Sequence, residues 1–108
     1  MTSDIYCDEI LSGKTPIKKF YESKNFLVYY HTLPFWEFHL VLIPKFHIVN
    51  LYEIKNEQLK IEYFDTLSNV VKLVEEEKNK CQVMFNVEEY QHSKHLHLHI
   101  HSGKRIRE

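Results

Sequence analysis

The chain's 108 residues are 44% hydrophobic and 27% charged, with a formal net charge of −1. That is an ordinary globular composition, with no global charge to recruit nucleic acid or an anionic membrane. No apolar run nears the roughly 18 residues of a membrane span, and the two glycines, Gly13 and Gly103, exclude a glycine-rich phosphate loop. Cys7 and Cys81 form neither a CxxC pair nor a disulfide framework, and the opening "MTSDIYCDEI" has no signal-peptide pattern. A single domain over residues 1–108, cytoplasmic and reduced, is the expectation.

In chain order, residues 2–12 read as a short helix, with Thr2 or Ser3 as cap and Ile5, Ile10 and Leu11 on one side. Gly13 stops it. "IKKFYE" and "FLVYY" have strand character and flank the turn Ser23-Lys24-Asn25. "LPFWEF" reads as an aromatic loop whose Phe35, Trp36 and Phe38 pack a dimer interface or flank a nucleobase. "HLVLIP", from His39 to Pro44, is a further strand in which His39 serves as a hydrogen-bonded sheet residue. A helix follows from Asn56, its cap, to Lys78. Tyr63, Leu67, Val70 and Val74, with Phe64 and Val71 beside them, form its apolar stripe. "CQVMFNV" and the histidine-rich segment are the last two strands. Helix, hairpin, strand, helix and strand pair make an α+β fold. Its mainly antiparallel five-stranded sheet packs with one long helix and a short N-terminal one. The closing Lys104, Arg105 and Arg107 read as a solvated tail.

Histidine is the outlier, with eight in the chain and four in "HLHLHIH". Strict alternation is the period of a strand, so Leu96, Leu98 and Ile100 enter a core while His95, His97, His99 and His101 line one surface. Neighbouring imidazoles would stand roughly 6.5–7 Å apart. Three readings compete. The row is a polar strand face. Or it supplies metal ligands, with others from His39, His47, Cys7 or a carboxylate, since alternate residues on one strand cannot all reach one ion. Or it is catalytic: a neutral imidazole attacks an electrophile, and flanking rings bind phosphate and donate a proton.

These residues resemble the histidine-triad (HIT) superfamily. "HLHLHIH" fits its motif, His-φ-His-φ-His-φ-φ with φ apolar, over His95, His97 and His99; His101 departs from the pattern at the last φ. The likeness extends through "CDEILSGKTPIKKFYES", with Gly13 and Pro16, and through "HLVLIPKFHIVNLYEI", with Ile43, Pro44, Lys45 and His47. It continues in "FNVEEYQHSKHLHLHIH", with Asn86 and Gln91. The resemblance implies hydrolysis at the α-phosphorus of a nucleoside phosphoramidate or dinucleoside polyphosphate, releasing a nucleoside monophosphate. In that reading His97 is the nucleophile that forms a nucleotidyl-histidine intermediate, His99 assists the leaving group, and His95 supports the geometry. It also implies a homodimer with one continuous sheet and a purine nucleotide or nucleotide conjugate as partner, with no membrane and no specific nucleic acid.

The departures cluster around substrate contacts. His31 stands where the family commonly has the acid that binds ribose hydroxyls. His92 stands where a serine is common, with Ser93 one step on; Asn86 and Gln91 complete the expected substrate contacts. The family's zinc set would map to Asp4, Cys7, His47 and His95, with Asp4 in place of a thiolate. The expectation is therefore no required cofactor and zinc absent or weakly held. His99, where one branch of the superfamily carries glutamine, favours hydrolysis over hexose-1-phosphate transfer. A non-catalytic or slow nucleotide-binding regulatory protein, or a nucleotidyl transferase, is the alternative. His101, beyond the triad, is expected to tolerate substitution.

Overall fold

A computed structural model describes residues 6–86 and 95–107, the side chains of Asp8 and Glu9 excepted. Five strands form one antiparallel sheet: β1 (Lys19–Glu22), β2 (Phe26–Tyr30), β3 (Trp36–Pro44), β4 (Gln82–Phe85) and β5 (Leu98–Arg105), in the order β1-β2-β3-β5-β4. The long helix α1 runs Glu57–Lys78. A π-helical turn, Tyr6–Leu11, precedes the sheet, and a 3-10 turn, Leu51–Glu53, precedes α1. The predicted α+β architecture and element order are those observed.

Local chemistry sets the boundaries of α1. The Asn56 side chain accepts from Leu59 N–H at 3.1 Å, and Asn79 ends the helix in the left-handed region at φ 70°. Val70 and Val74 are fully buried, and Tyr63 and Leu67 pack beside them. Phe64 departs from the expected stripe. It is 70% exposed and points away from the core. Glu62 instead ties the helix to the β1–β2 turn, accepting from Ser23 Oγ at 2.7 Å, Asn25 N–H at 2.6 Å and Asn25 Nδ2 at 2.7 Å.

Alternation gives the sheet two cores. Phe26 and Val28 of β2, Phe38, Leu40 and Leu42 of β3, and Leu98 and Ile100 of β5 face α1. Leu27, Tyr29, Val41 and Ile43 face the other way and are covered by Tyr6 and Ile10 of the N-terminal turn. The histidines of β3 and β5 share that second face, because the register pairs His39 with His101 and Val41 with His99.

Several expectations need correction. β3 begins at Trp36, so half of the anticipated aromatic loop is strand, paired to β5 through a register shift between Trp36 and Phe38. Phe38 is core, 7% exposed. β5 starts at Leu98, not His95. Its neighbour β3 ends at Pro44, which has no N–H to extend the ladder. Residues 95–97 are held instead by Leu96 N–H donating to Ile48 O at 2.7 Å. The proposed caps Thr2 and Ser3 lie outside the described residues. At Gly103, φ is +87° and an added Cβ would lie 2.6 Å from Glu37 Oε1, so β5 requires glycine there.

Candidate active site

The histidine row does not line an open surface. His95, His97, His99 and His101 are 0%, 3%, 9% and 4% exposed. Tyr6 covers the first two, its ring centroid 5.5 Å from His95 and 4.9 Å from His97. His31 and His39 pack against His99, and Trp36 lies flat on His101 at 3.6 Å and 7°. The rings of His97 and His99 stand 5.1 Å apart, nearly perpendicular, closer than bare strand spacing predicts.

Main-chain partners fix the tautomers, because a carbonyl only accepts and a backbone N–H only donates. His97 Nδ1 lies 2.8 Å from His95 O and therefore carries its proton, leaving the lone pair on Nε2. His95 Nε2–H donates to Pro44 O at 3.1 Å, leaving the lone pair on Nδ1. Phe35 N–H donates to His39 Nδ1 at 3.0 Å, so neutral His39 carries its proton on Nε2. That proton is donated to His99 Nδ1 at 2.8 Å, which leaves the neutral His99 ring its N–H at Nε2. The cluster thus pairs an unprotonated Nε2 on His97 with an N–H donor on His99.

Burial first, then the charges of His31, His99, His101 and Arg107, push His39 down to about 3. Burial, then Arg107 and His97, lower His31 to about 4. Both rings are therefore neutral at pH 7. His31 Nδ1 accepts from Leu33 N–H at 2.9 Å, so its own N–H is on Nε2. A ring of that tautomer offers a ligand a donor, where a carboxylate would offer two acceptors. His31, His39 and His99 bring nitrogens within 4.8 Å of one another. The same tautomers argue against a metal there, since both His31 and His39 would have to lose an Nε2 proton and become imidazolate.

A second donor set is better suited to an ion. Cys7 Sγ lies 3.5 Å from His95 Nδ1 and 4.0 Å from His47 Nδ1. Those separations suit Zn–S and Zn–N bonds of about 2.3 and 2.0 Å. The Nε2–H of His95 is already committed to Pro44 O, as is usual for a ligating imidazole. The fourth expected ligand, Asp4, lies outside the described residues, as do Gln91, His92 and Ser93. Asn86 is half-buried one step beyond Phe85. Phe85 pairs with Leu98, so the antiparallel register brings Asn86 level with His97.

Sequence reasoning missed three contributors. His39 is a bridging hydrogen-bond partner of His99 and not merely a sheet residue. Tyr6 roofs the triad. The basic C-terminus is no free tail: Arg107 donates to Leu33 O at 2.8 Å and Pro34 O at 3.2 Å, with its guanidinium 3.9 Å from the Phe35 ring centroid. It clamps the loop that carries the Phe35 N–H.

Comparison with known proteins agrees with this geometry. The family model for the HIT domain matches residues 12–106. "Protein hit" of Bacillus subtilis (strain 168) is 32% identical over 73 residues, covering 68% of this chain and 49% of that protein, so the match spans about half of the relative's length. An uncharacterized HIT-like protein of Buchnera aphidicola subsp. Baizongia pistaciae (strain Bp) is 28% identical over 103 residues, 91% of each chain. Among solved structures, a HIT family hydrolase from Legionella pneumophila Philadelphia 1 superposes with TM-score 0.76 at 28% identity, covering 95% of both chains. A Zn-bound histidine triad family protein from Mycobacterium smegmatis does so with TM-score 0.77 at 25% identity, covering 94% of this chain and 76% of that one. The chain belongs to the HIT domain family.

Proposed function

We propose that the protein is a nucleotide hydrolase acting at the α-phosphorus of a nucleoside phosphoramidate or dinucleoside polyphosphate. The observation that carries this reading is the His97 Nδ1–H···O=C contact to His95 at 2.8 Å, which leaves Nε2 as a nucleophile. The likeness to the Legionella hydrolase supports the reaction class.

In the first half-reaction His97 Nε2 forms a bond to the α-phosphorus. The bond from phosphorus to the leaving group breaks, its electron pair goes to the departing atom, and that atom accepts a hydrogen bond from His99 Nε2–H; a departing amine takes its proton from solvent, and a departing phosphate leaves as the anion. The resulting phosphorylated ring is cationic, and its Nδ1–H remains on the His95 carbonyl, which stabilises the charge. In the second half-reaction water attacks phosphorus and gives up its proton to solvent, while His99 Nε2–H holds a phosphoryl oxygen. The P–N bond then breaks, restoring His97 and releasing the nucleoside monophosphate. His39 keeps His99 in the required tautomer in both directions. Incubating the protein with both substrate classes should release nucleoside monophosphate from at least one; no release from either would contradict the proposal.

Zinc, where bound, would be held by Cys7, His47 and His95 and would brace the N-terminal turn against the triad, away from the proton transfers. With only three described ligands, one exposed, we expect weak retention. Dialysis against a chelator should leave well under one zinc per chain and an active enzyme. Stoichiometric zinc surviving that treatment would contradict this, and Asp4→Ala would then test the fourth ligand.

A homodimer through β4 completes the reading. β4 is an edge strand whose Val83, Met84 and Phe85 are 42%, 38% and 43% exposed, an apolar edge that a second copy would cover by extending the sheet. Sedimentation at micromolar concentration should give a dimer, and Phe85→Glu a monomer. A monomeric wild type would refute it.

A further inference from the structure

Further along β5 from the triad lies a cleft. Its volume is about 310 Å³, and Lys80, Cys81, Gln82, His101, Ser102 and Gly103 line it. The sheet register sets its position. Met84 pairs with His99 and Gln82 with His101, so the cleft opens two pairs along from His99, about 6.6 Å further down β5.

His101 marks it as more than a surface groove. The residue is 96% buried by its 4% exposure, yet neither ring nitrogen has a hydrogen-bond partner among the described residues. Every other histidine of β3 and β5 on this face is tied to its neighbours: His39 to Phe35 N–H and to His99, and His99 to His39. Trp36 stacks on His101 face to face, and Arg105 lies 5.0 Å from the Trp36 ring centroid. The stack fixes the plane of the imidazole and leaves its polar edge as the part that can bind. Lys80, exposed at the mouth, is the one formal charge in the lining. The nearby Glu37 carboxylate, at the Gly103 rim, is engaged by Lys104 N–H at 2.7 Å.

We propose that this cleft receives the leaving group and favours one that carries anionic phosphate. The inference rests on the hydrolase reading above and narrows its substrate class to nucleoside polyphosphate conjugates. His97 Nε2 bonds to the α-phosphorus, the bridging P–O bond breaks, and its electron pair stays on the departing oxygen. The released polyphosphate leaves as an anion facing Lys80 and the imidazole and amide donors of His101 and Gln82. An amine leaving group must take a proton from solvent and gains nothing from Lys80.

The test compares a diadenosine polyphosphate with an adenylyl phosphoramidate on wild type, Lys80→Gln and His101→Phe. Lysine 80 is exposed, so its variant folds whatever its role, and phenylalanine keeps the stack on Trp36. Each substitution should lower kcat/KM for the polyphosphate roughly tenfold, the scale of one charge-assisted hydrogen bond. Each should leave the phosphoramidate within about twofold. Equal losses on both substrates, or no loss on the polyphosphate, would overturn the inference. Wild type inert on both substrates would overturn the hydrolase reading instead. Calorimetry with inorganic tripolyphosphate then decides the cleft alone: binding weakened about tenfold by Lys80→Gln supports it, and equal or no binding refutes it.

Discussion

Replacing His97 by asparagine should abolish turnover, by at least about 10³-fold, while leaving the fold and nucleotide binding intact. The asparagine amide can still donate to the His95 carbonyl that His97 Nδ1–H now meets at 2.8 Å, so the local hydrogen bond survives. No nitrogen lone pair comparable to Nε2 remains to attack phosphorus. Nucleoside monophosphate release under saturating substrate, beside binding measured by calorimetry, separates the two effects. His99→Asn should be less damaging, because it removes a hydrogen-bond donor and not the atom that bonds to phosphorus.

The second large effect belongs to a residue two bonds removed from substrate. His39→Phe should reduce kcat about 10–100-fold with little change in KM, the range typical of an orienting partner. His39 gives its Nε2–H to His99 Nδ1; without it the His99 proton can sit on the wrong nitrogen. His39→Gln, whose amide can reach the same acceptor, should recover part of the rate, which a purely packing role would not explain. Stability gives an independent readout. His39 is lowered to about 3 from its ordinary value near 6.5 by burial and neighbouring positive charge. Between those values the unfolded chain binds the proton and the folded one does not, so stability is complete above about pH 6.5 and falls as pH drops toward 3. Denaturant unfolding of His39→Phe should show a shallower acid loss across that window. An unchanged slope and unchanged kcat would refute the positioning role.

Much of this architecture could be read from the sequence because its signals are local. Asn56 caps the helix it was expected to cap, Val70 and Val74 fall on its buried stripe, and "HLHLHIH" alternates as a strand must. Phe64 fits the same periodicity and yet is exposed, because the width of a helix's buried face is set by the sheet beneath it. The start of β5 differs for a similar reason: alternation in residues 95–97 does not reveal that the strand ending at Pro44 is the one β5 pairs with. The triad's chemistry was legible as a pattern, but its tautomers were not. They depend on the carbonyls of His95 and Pro44 and the N–H of Phe35, groups every residue has and no motif records. His39 and Tyr6 were missed because each reaches the triad across the fold, from β3 and from the N-terminal turn. Trp36 on His101 is a contact made by a register shift, which sequence does not announce.

In the proposed reaction His97 Nε2 becomes covalently bonded to phosphorus. Rapid mixing of wild-type protein with a nucleotide substrate labelled at the α-phosphate, acid-free denaturation within the first turnover, and peptide mass mapping test it directly. The expected result is a nucleotidyl mass on the peptide containing His97, labile to acid and stable to base, present in wild type and absent from His97→Asn. Turnover of the same substrate with no adduct on that peptide, or near wild-type hydrolysis by His97→Asn, would contradict it.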